Sequence, residues 1–160
     1  MEGVISITMS SLYNNEIIGA FSIFEVTRHL QTISCAKAML ILPLVSHDQT
    51  VSYLRRYNVK SIEQLIVRKP EYFSNFNQRF TSLFTTSINS ILILNTLNVI
   101  TIKKGSLIEF NSNKESEIFY QNDKKILGTR AINIIKASDK LSELLDDSVE
   151  NLYLQLRVKL

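Results

Sequence analysis

The chain has 160 residues, a size at which one folded domain buries about 70% of the surface that its unfolded chain exposes. Hydrophobic residues make up 45% of it, which is too apolar for a disordered chain, and four Gly and two Pro are too few for a many-stranded β-sandwich or barrel. We therefore expect a single, mainly helical domain over residues 1–160. The formal net charge of +3 is spread along the chain and forms no basic stripe of the kind that binds nucleic acid.

The sequence carries no signal for export or membrane insertion. The first residues, MEGVISITMSS, lack the basic region and small-residue cleavage site of a signal peptide. The longest apolar run, residues 38–45, is far shorter than the ~20 residues that span a bilayer. Cys35 is the only cysteine, so no internal disulfide forms. These features predict a cytoplasmic chain.

Residues 1–60 are predicted to be helical. A first helix is expected over residues 14–31, where apolar side chains recur at helical spacing. Residues 35–45 are apolar on all sides, which is typical of a helix that either lies in the core or has its exposed side covered by a partner. Pro43 should end or kink this helix, because proline has no backbone N–H to donate.

Two capping boxes are visible in the sequence. Ser46 is followed three residues later by Gln49, and Ser61 by Gln64. In such a box the serine hydroxyl caps the first turn of a helix. Each pair therefore predicts the start of a short helix.

Residues 61–110 are predicted to form a winged-helix-like core. Pro70 suits the first position of a helix, a turn is expected at residues 85–87, and a second helix should follow to about residue 98. Alternating apolar residues on both sides of Gly105 then predict a β-hairpin. Helix, turn, helix and hairpin in this order are typical of a winged helix-turn-helix. The predicted helical face carries Phe73, Phe76, Phe80, Leu83 and Phe84.

The remaining residues, 111–160, are predicted to be a polar linker followed by two amphipathic helices. The expected fold is therefore mainly α with a small β-hairpin wing, in which a winged helix-turn-helix-like core is flanked by N- and C-terminal helices.

DNA recognition by this core is an alternative that the charge pattern disfavours. Residues 81–102 contain no charged side chain, and only Asn89 and Asn95 are suited to base contacts. Lys103 and Lys104 at the wing tip are candidates for weak phosphate contacts. Cations near the recognition helix normally supply most of the non-specific affinity for DNA, and this helix has none. A DNA-binding winged-helix regulator is therefore only the second hypothesis.

No residue set predicts an enzyme, a cofactor or a metal site. His29, His47 and Cys35 have no recognised metal-ligand spacing. Cys35 lies at the start of an apolar segment, where a raised thiol pKa and a packing role are expected. The sequence has no phosphate-binding glycine loop and no nucleophile elbow.

The order of several motifs resembles a known family. These motifs are the Leu42-Pro43-Leu44-Val45 run with His47, the segment Pro70-Glu71-Tyr72 with Phe76 and Arg79, and the closing LYLQLRVKL. Together they resemble the middle component of ABC three-component systems, a family also represented by the small accessory subunit of Lamassu-type bacterial defence systems. Leu65 stands near the family's tryptophan, and Arg157 and Lys159 replace its final Gly and Pro.

The resemblance implies a bacterial adaptor without catalytic activity. It would bridge an SMC-like ABC ATPase and an effector, often a nuclease, and these partners would hydrolyse ATP and cleave nucleic acid. Apolar residues in three segments are the candidate contacts with such partners, with internal packing as the alternative. These residues are Leu42, Pro43, Leu44, Val45, Ile93, Leu154, Leu156 and Val158.

Overall fold

The computed structural model describes the backbone of residues 2–113 and 124–160 and the side chains of residues 15–113 and 128–160. The described residues are mainly helical and include a small three-stranded antiparallel sheet, as the composition predicts. The greater part of the predicted polar linker, residues 114–117, lies outside the described residues.

The N-terminal elements are three helices and a short strand. A longer first helix than predicted continues to Leu30, and Ser34 caps the second helix by accepting a hydrogen bond from the Lys37 N–H at 3.2 Å. Pro43 lies inside that second helix, which ends two residues later. The elements are α1 (Glu2–Leu30), β1 (Thr32–Ser34), α2 (Cys35–Val45) and α3 (Asp48–Arg56).

The cap of α3 differs from the predicted one. Ser46 ends α2, and His47 is the N-cap residue of α3. The Nδ1 atom of His47 lies 3.3 Å from the Thr50 backbone nitrogen, whose N–H it accepts. An imidazole nitrogen thus caps α3, whereas the capping-box pattern predicts a serine hydroxyl at this position.

The second predicted capping serine is confirmed. Ser61 Oγ accepts the Gln64 N–H at 3.1 Å at the start of α4 (Ile62–Arg68). Pro70 follows at the first position of a 3₁₀ helix, Pro70–Phe73. The chain then enters α5 (Phe76–Ser82).

The turn expected at residues 85–87 is wrong. Those residues belong to α6 (Phe84–Thr96), and the only residue between α5 and α6 is Leu83. The turn was predicted from the polar Thr and Ser residues of this segment, but Ser87 is buried inside the helix. The predicted aromatic face is therefore divided between two helices.

The predicted hairpin is confirmed, and it belongs to a larger sheet. Strands β2 (Ile100–Lys103) and β3 (Leu107–Phe110) pair antiparallel. The other edge of β3 pairs with β1, so that Ile33 lies opposite Ile108. The strand order is β1-β3-β2. The sheet therefore joins residues from the N-terminal part of the chain to the hairpin.

Helix α1 is the centre of the packing. It contacts α2 and α6, the sheet, and the helix α7 (Lys124–Leu144), in which Gly128 has a non-helical backbone with φ 75°. The last helix, α8 (Val149–Gln155), is capped by Ser148 and is held to α2 by a 2.8 Å hydrogen bond from the Tyr153 hydroxyl to the Ala36 carbonyl. The two predicted C-terminal helices are thus confirmed.

Candidate protein-binding surface

Helix α6 exposes an apolar stripe. Phe84, Ile88 and Leu92 are spaced by four residues and therefore lie along one side of the helix. Their exposed fractions are 42%, 38% and 50%. No charged side chain occurs between residues 81 and 102. We call these three residues the α6 face.

The opposite side of α6 is fixed against α1. Small buried side chains on α6 let the two helices approach closely, and Ser90 donates a hydrogen bond to the Glu16 carbonyl at 3.1 Å. The amide of Asn89 donates to Glu16 Oε1 at 2.8 Å. Because these contacts fix the rotation of α6, the apolar stripe is presented in a defined orientation.

The apolar surface continues towards the sheet. The Asn95 side chain accepts the Ile102 N–H at 3.2 Å, which places β2 beside the C-terminal half of α6. Ile102 is 38% exposed and Leu97, at the end of the helix, is 46% exposed. Several exposed apolar side chains near one another are typical of a protein-binding surface.

Ile93, the residue of α6 that we predicted as an interface residue, is only half-buried. It lines a shallow cleft of about 340 Å³ together with Glu16, Leu92 and Leu97. The Ile93 prediction thus falls on the same helix as the exposed stripe. It missed the stripe, although the four-residue spacing of Phe84, Ile88 and Leu92 was a usable signal.

The apolar segment of α2 lies in the core. The side chains of Leu42, Leu44 and Val45 are buried within the chain itself, and so is Pro43. The packing alternative is the one that this geometry supports for all four residues. In this conformation they offer no surface to a partner.

The C-terminal candidates occupy different environments. Leu156 is buried with an exposed fraction of 2%, Val158 packs partly against the core, and Leu154 is 76% exposed. Of these three, only Leu154 presents most of its side chain to a partner.

The candidates for DNA contact are largely occupied within the chain. Asn89 and Asn95 are both hydrogen-bonded as described above, and Lys103 Nζ lies 3.6 Å from a carboxylate oxygen of Glu109. Lys104 is exposed at the hairpin turn. The two asparagines would have to leave these partners to form the bidentate contact that reads adenine.

The residues considered for chemistry are dispersed. Burial raises the pKa of the Cys35 thiol, as predicted, which disfavours the reactive thiolate. His29 is hydrogen-bonded to Ser138 at 3.0 Å, while His47 caps α3. Among the described residues, no group of three His, Cys, Asp or Glu side chains is placed to hold a metal ion.

The motif residues His47, Tyr72 and Arg79 come together. Arg79 donates to the Pro43 carbonyl at 3.1 Å and to the Tyr72 carbonyl at 2.9 Å, and also to the Asn75 side chain. The rings of His47 and Tyr72 lie 5.1 Å apart. Arg79 thus ties the 3₁₀ helix to the end of α2, which is a structural role.

A second surface feature adjoins this motif. A cleft of about 510 Å³ lies between α3 and the 3₁₀ helix and contains three tyrosines. We call it the tyrosine cleft. Sequence reasoning missed it because its aromatic residues come from two elements. Its lining residues are Gln49, Ser52, Tyr53, Arg56, Tyr57, Lys69, Glu71 and Tyr72.

The described residues thus form a mainly helical protein that exposes a stripe of apolar side chains on an uncharged helix. In that part of the chain, no helix combines the length and hydropathy needed to cross a membrane. The chain belongs to the ABC-three component (ABC-3C) system Middle Component 3 family, whose model matches residues 7–160. This match confirms the resemblance to middle components of ABC three-component systems, and membership in a multi-component system implies partner subunits. Neither a curated protein nor a solved structure matches the chain.

Proposed function

We propose that this protein is a non-catalytic adaptor subunit that binds another subunit of its three-component system through the α6 face. The observation that carries the proposal is the stripe of exposed apolar side chains on an uncharged helix that is held rigidly against α1. Aromatic and aliphatic side chains in such a position supply most of the binding energy when a partner excludes water from them.

The partners that we propose are an SMC-like ABC ATPase and a nuclease-type effector, as in Lamassu-type bacterial defence systems. The support is the family, which implies partner subunits, together with the dispersed arrangement of Cys35, His29 and His47. The proposal assigns catalysis to the partners and places the complex in the bacterial cytoplasm. It includes a winged-helix core, for which the support is the hairpin that directly follows α6.

Co-expression with the neighbouring ATPase and effector genes tests the adaptor function. We expect the chain to co-elute with at least one of these proteins. Leu92→Asp should weaken this association at least about thirtyfold, because it places a charge at the centre of a buried interface. Val67→Asp is the matched control, since Val67 is 76% exposed on another helix. A chain that remains a monomer in the presence of both proteins would overturn the proposal.

DNA binding by a winged-helix regulator is the competing function. The exposed Lys104 and the neighbouring Lys103 are the observation in its favour. A salt-dependent shift of duplex DNA by the chain alone, lost in a Lys103→Glu/Lys104→Glu variant, would establish it. We expect no such shift.

A further inference from the structure

We propose that the tyrosine cleft binds a short acidic peptide segment of a partner subunit. This inference extends the proposed function to a second surface, since the cleft shares no residue with the α6 face. An adaptor that bridges two partners needs two separate surfaces. The cleft has a volume of about 510 Å³, against about 340 Å³ for the cleft beside α6.

The cleft has an excess of hydrogen-bond donors. No hydrogen bond within the described residues engages the hydroxyls of Tyr53, Tyr57 and Tyr72, and the Arg56 guanidinium forms no ion pair there. Phenol hydroxyls and a guanidinium donate well to carboxylate oxygens, and arginine does so through two parallel bonds. The ligand that satisfies these donors is therefore rich in acceptors and negatively charged.

The walls of the cleft are held in place before any ligand arrives. The ring centroids of Tyr53, on α3, and Tyr57, the residue that directly follows α3, are 4.5 Å apart. Lys69 Nζ lies 5.7 Å from the ring centroids of both Tyr53 and Tyr72, and Arg79 holds the Tyr72 backbone. A preorganised aromatic site loses little conformational entropy on binding.

The charges favour a peptide over a nucleic acid. The cleft has two cations, Arg56 and Lys69, and Lys69 Nζ lies 3.6 Å from a carboxylate oxygen of Glu71. A phosphate backbone is bound through a row of cations, and a single unpaired guanidinium does not supply one. One unpaired guanidinium beside three tyrosines suits a segment with one or two carboxylates and an apolar residue.

Binding of labelled model peptides to the full-length chain tests the proposal. The probe is a fluorescein-labelled peptide of Glu-Asp-Phe repeats, and its neutral control has Gln and Asn in place of the acids. We expect the acidic peptide to bind and the neutral peptide to bind at least about tenfold more weakly. Arg56→Glu and Tyr57→Ala should each reduce binding of the acidic peptide by about the same factor.

Arg55→Glu is the matched control for charge. Arg55 precedes Arg56 in the last turn of α3, is also exposed, and does not line the cleft, so this variant should change binding less than about twofold. Equal losses with Arg55→Glu and Arg56→Glu would overturn the proposal, because they indicate diffuse attraction. It would also be overturned by failure of the acidic peptide to bind, or by stronger, Arg56-dependent binding of a labelled oligothymidylate.

The peptide assay is independent of the α6 face. If Leu92→Asp abolishes co-elution while the acidic peptide fails to bind, the cleft proposal is overturned and the adaptor function stands. If the peptide binds as expected but the chain never co-elutes with its neighbours, the adaptor function is overturned, and so is the assignment of the cleft's partner to a subunit of that system.

Discussion

Gly19 sets the distance between α1 and α6. A Cβ atom at this position would overlap the Ser90 hydroxyl and lie 3.3 Å from Leu42 Cδ2. The single proton of this hydroxyl is shared between the Glu16 carbonyl at 3.1 Å and the Thr86 carbonyl at 2.8 Å, so moving the hydroxyl away would cost these hydrogen bonds. Close packing at residue scale thus determines how α6 presents its apolar face.

We therefore expect Gly19→Ala to lower the free energy of unfolding by about 1–3 kcal/mol, the usual cost of overpacking. This loss should exceed the gain of about 1 kcal/mol in helix propensity. Urea unfolding followed by circular dichroism measures the change. Adding Ser90→Ala to Gly19→Ala should recover part of the loss, whereas a stabilised single variant would contradict the close approach of the helices.

His47 makes the stability of the fold sensitive to pH. Burial lowers the pKa of His47, the Arg79 guanidinium lowers it further, and the Asp48 carboxylate opposes both effects. The folded chain therefore binds a proton on His47 less readily than the unfolded chain. The corresponding stabilisation is complete above the ordinary histidine pKa of about 6.5 and is lost as the pH falls below it. Protonation at Nδ1 would also remove the acceptor that caps α3.

His47→Asn should retain a cap and remove this titration, because asparagine is a good N-cap residue. We expect the wild-type free energy of unfolding to fall more than that of the variant between about pH 7.5 and about pH 5.5. Ser61→Ala, which removes the cap of α4, is the control and should cost about 1 kcal/mol at both pH values. Identical pH profiles for wild type and His47→Asn would disprove the role of His47.

The helix caps show what a local sequence pattern can and cannot predict for single residues. Ser61 was predicted correctly, because its hydroxyl and the Gln64 N–H that it accepts are only three residues apart in the sequence. Ser46 satisfies the same pattern, but it ends α2 and its hydroxyl donates to the Pro43 carbonyl at 3.0 Å. The sequence pattern does not show that Ser46 ends the preceding helix, which leaves His47 as the N-cap residue of α3.

At the scale of elements, α8 has one side buried against the core and another side exposed. Leu152 and Leu156, the residue that caps the end of α8, are buried, whereas Leu154 between them is largely exposed. The buried side chains pack into the main hydrophobic core, to which Tyr153 also contributes. Helix α8 is therefore attached to the core and is not merely a terminal extension.

Leu156→Ala should consequently lower the free energy of unfolding by about 2–5 kcal/mol, the cost of a cavity in the core. Leu154→Ala is the matched variant and should change it by less than about 0.5 kcal/mol. Chemical denaturation of the two variants provides the comparison. Equal effects would show that α8 does not pack as described.

The elements were predicted unevenly, for identifiable reasons. The hairpin and the C-terminal helices follow from local alternation and spacing, and they were found. Strand β1 was missed because its three residues have no periodic pattern and its partner β3 lies far along the chain. The boundary between α5 and α6 lies at Leu83 and was predicted too late in the chain, because Ser87 is buried inside α6 and is not part of a turn.

At the scale of the whole molecule, the sequence did not distinguish core segments from binding surfaces. An apolar segment such as α2 has the same composition in a core as in an interface, and only the packed structure distinguishes the two. The tyrosine cleft depends on Tyr72 meeting Tyr53, whose ring centroid lies 6.1 Å away, and no local pattern encodes a contact between residues so far apart in the chain. The family, by contrast, was indicated by the order of short motifs along nearly the whole chain.

The central position of β3 has a consequence for synthesis of the protein on the ribosome. Strand β1 and the apolar helix α2 emerge early, but Ile33 cannot pair until Ile108 has been translated. Such a distant contact delays folding, because the long intervening loop must close first. Meanwhile the buried residues of α2 remain open to other chains. The nascent chain therefore exposes its most apolar helix until α3, α5 and α6, which pack against α2 or α1, have been made.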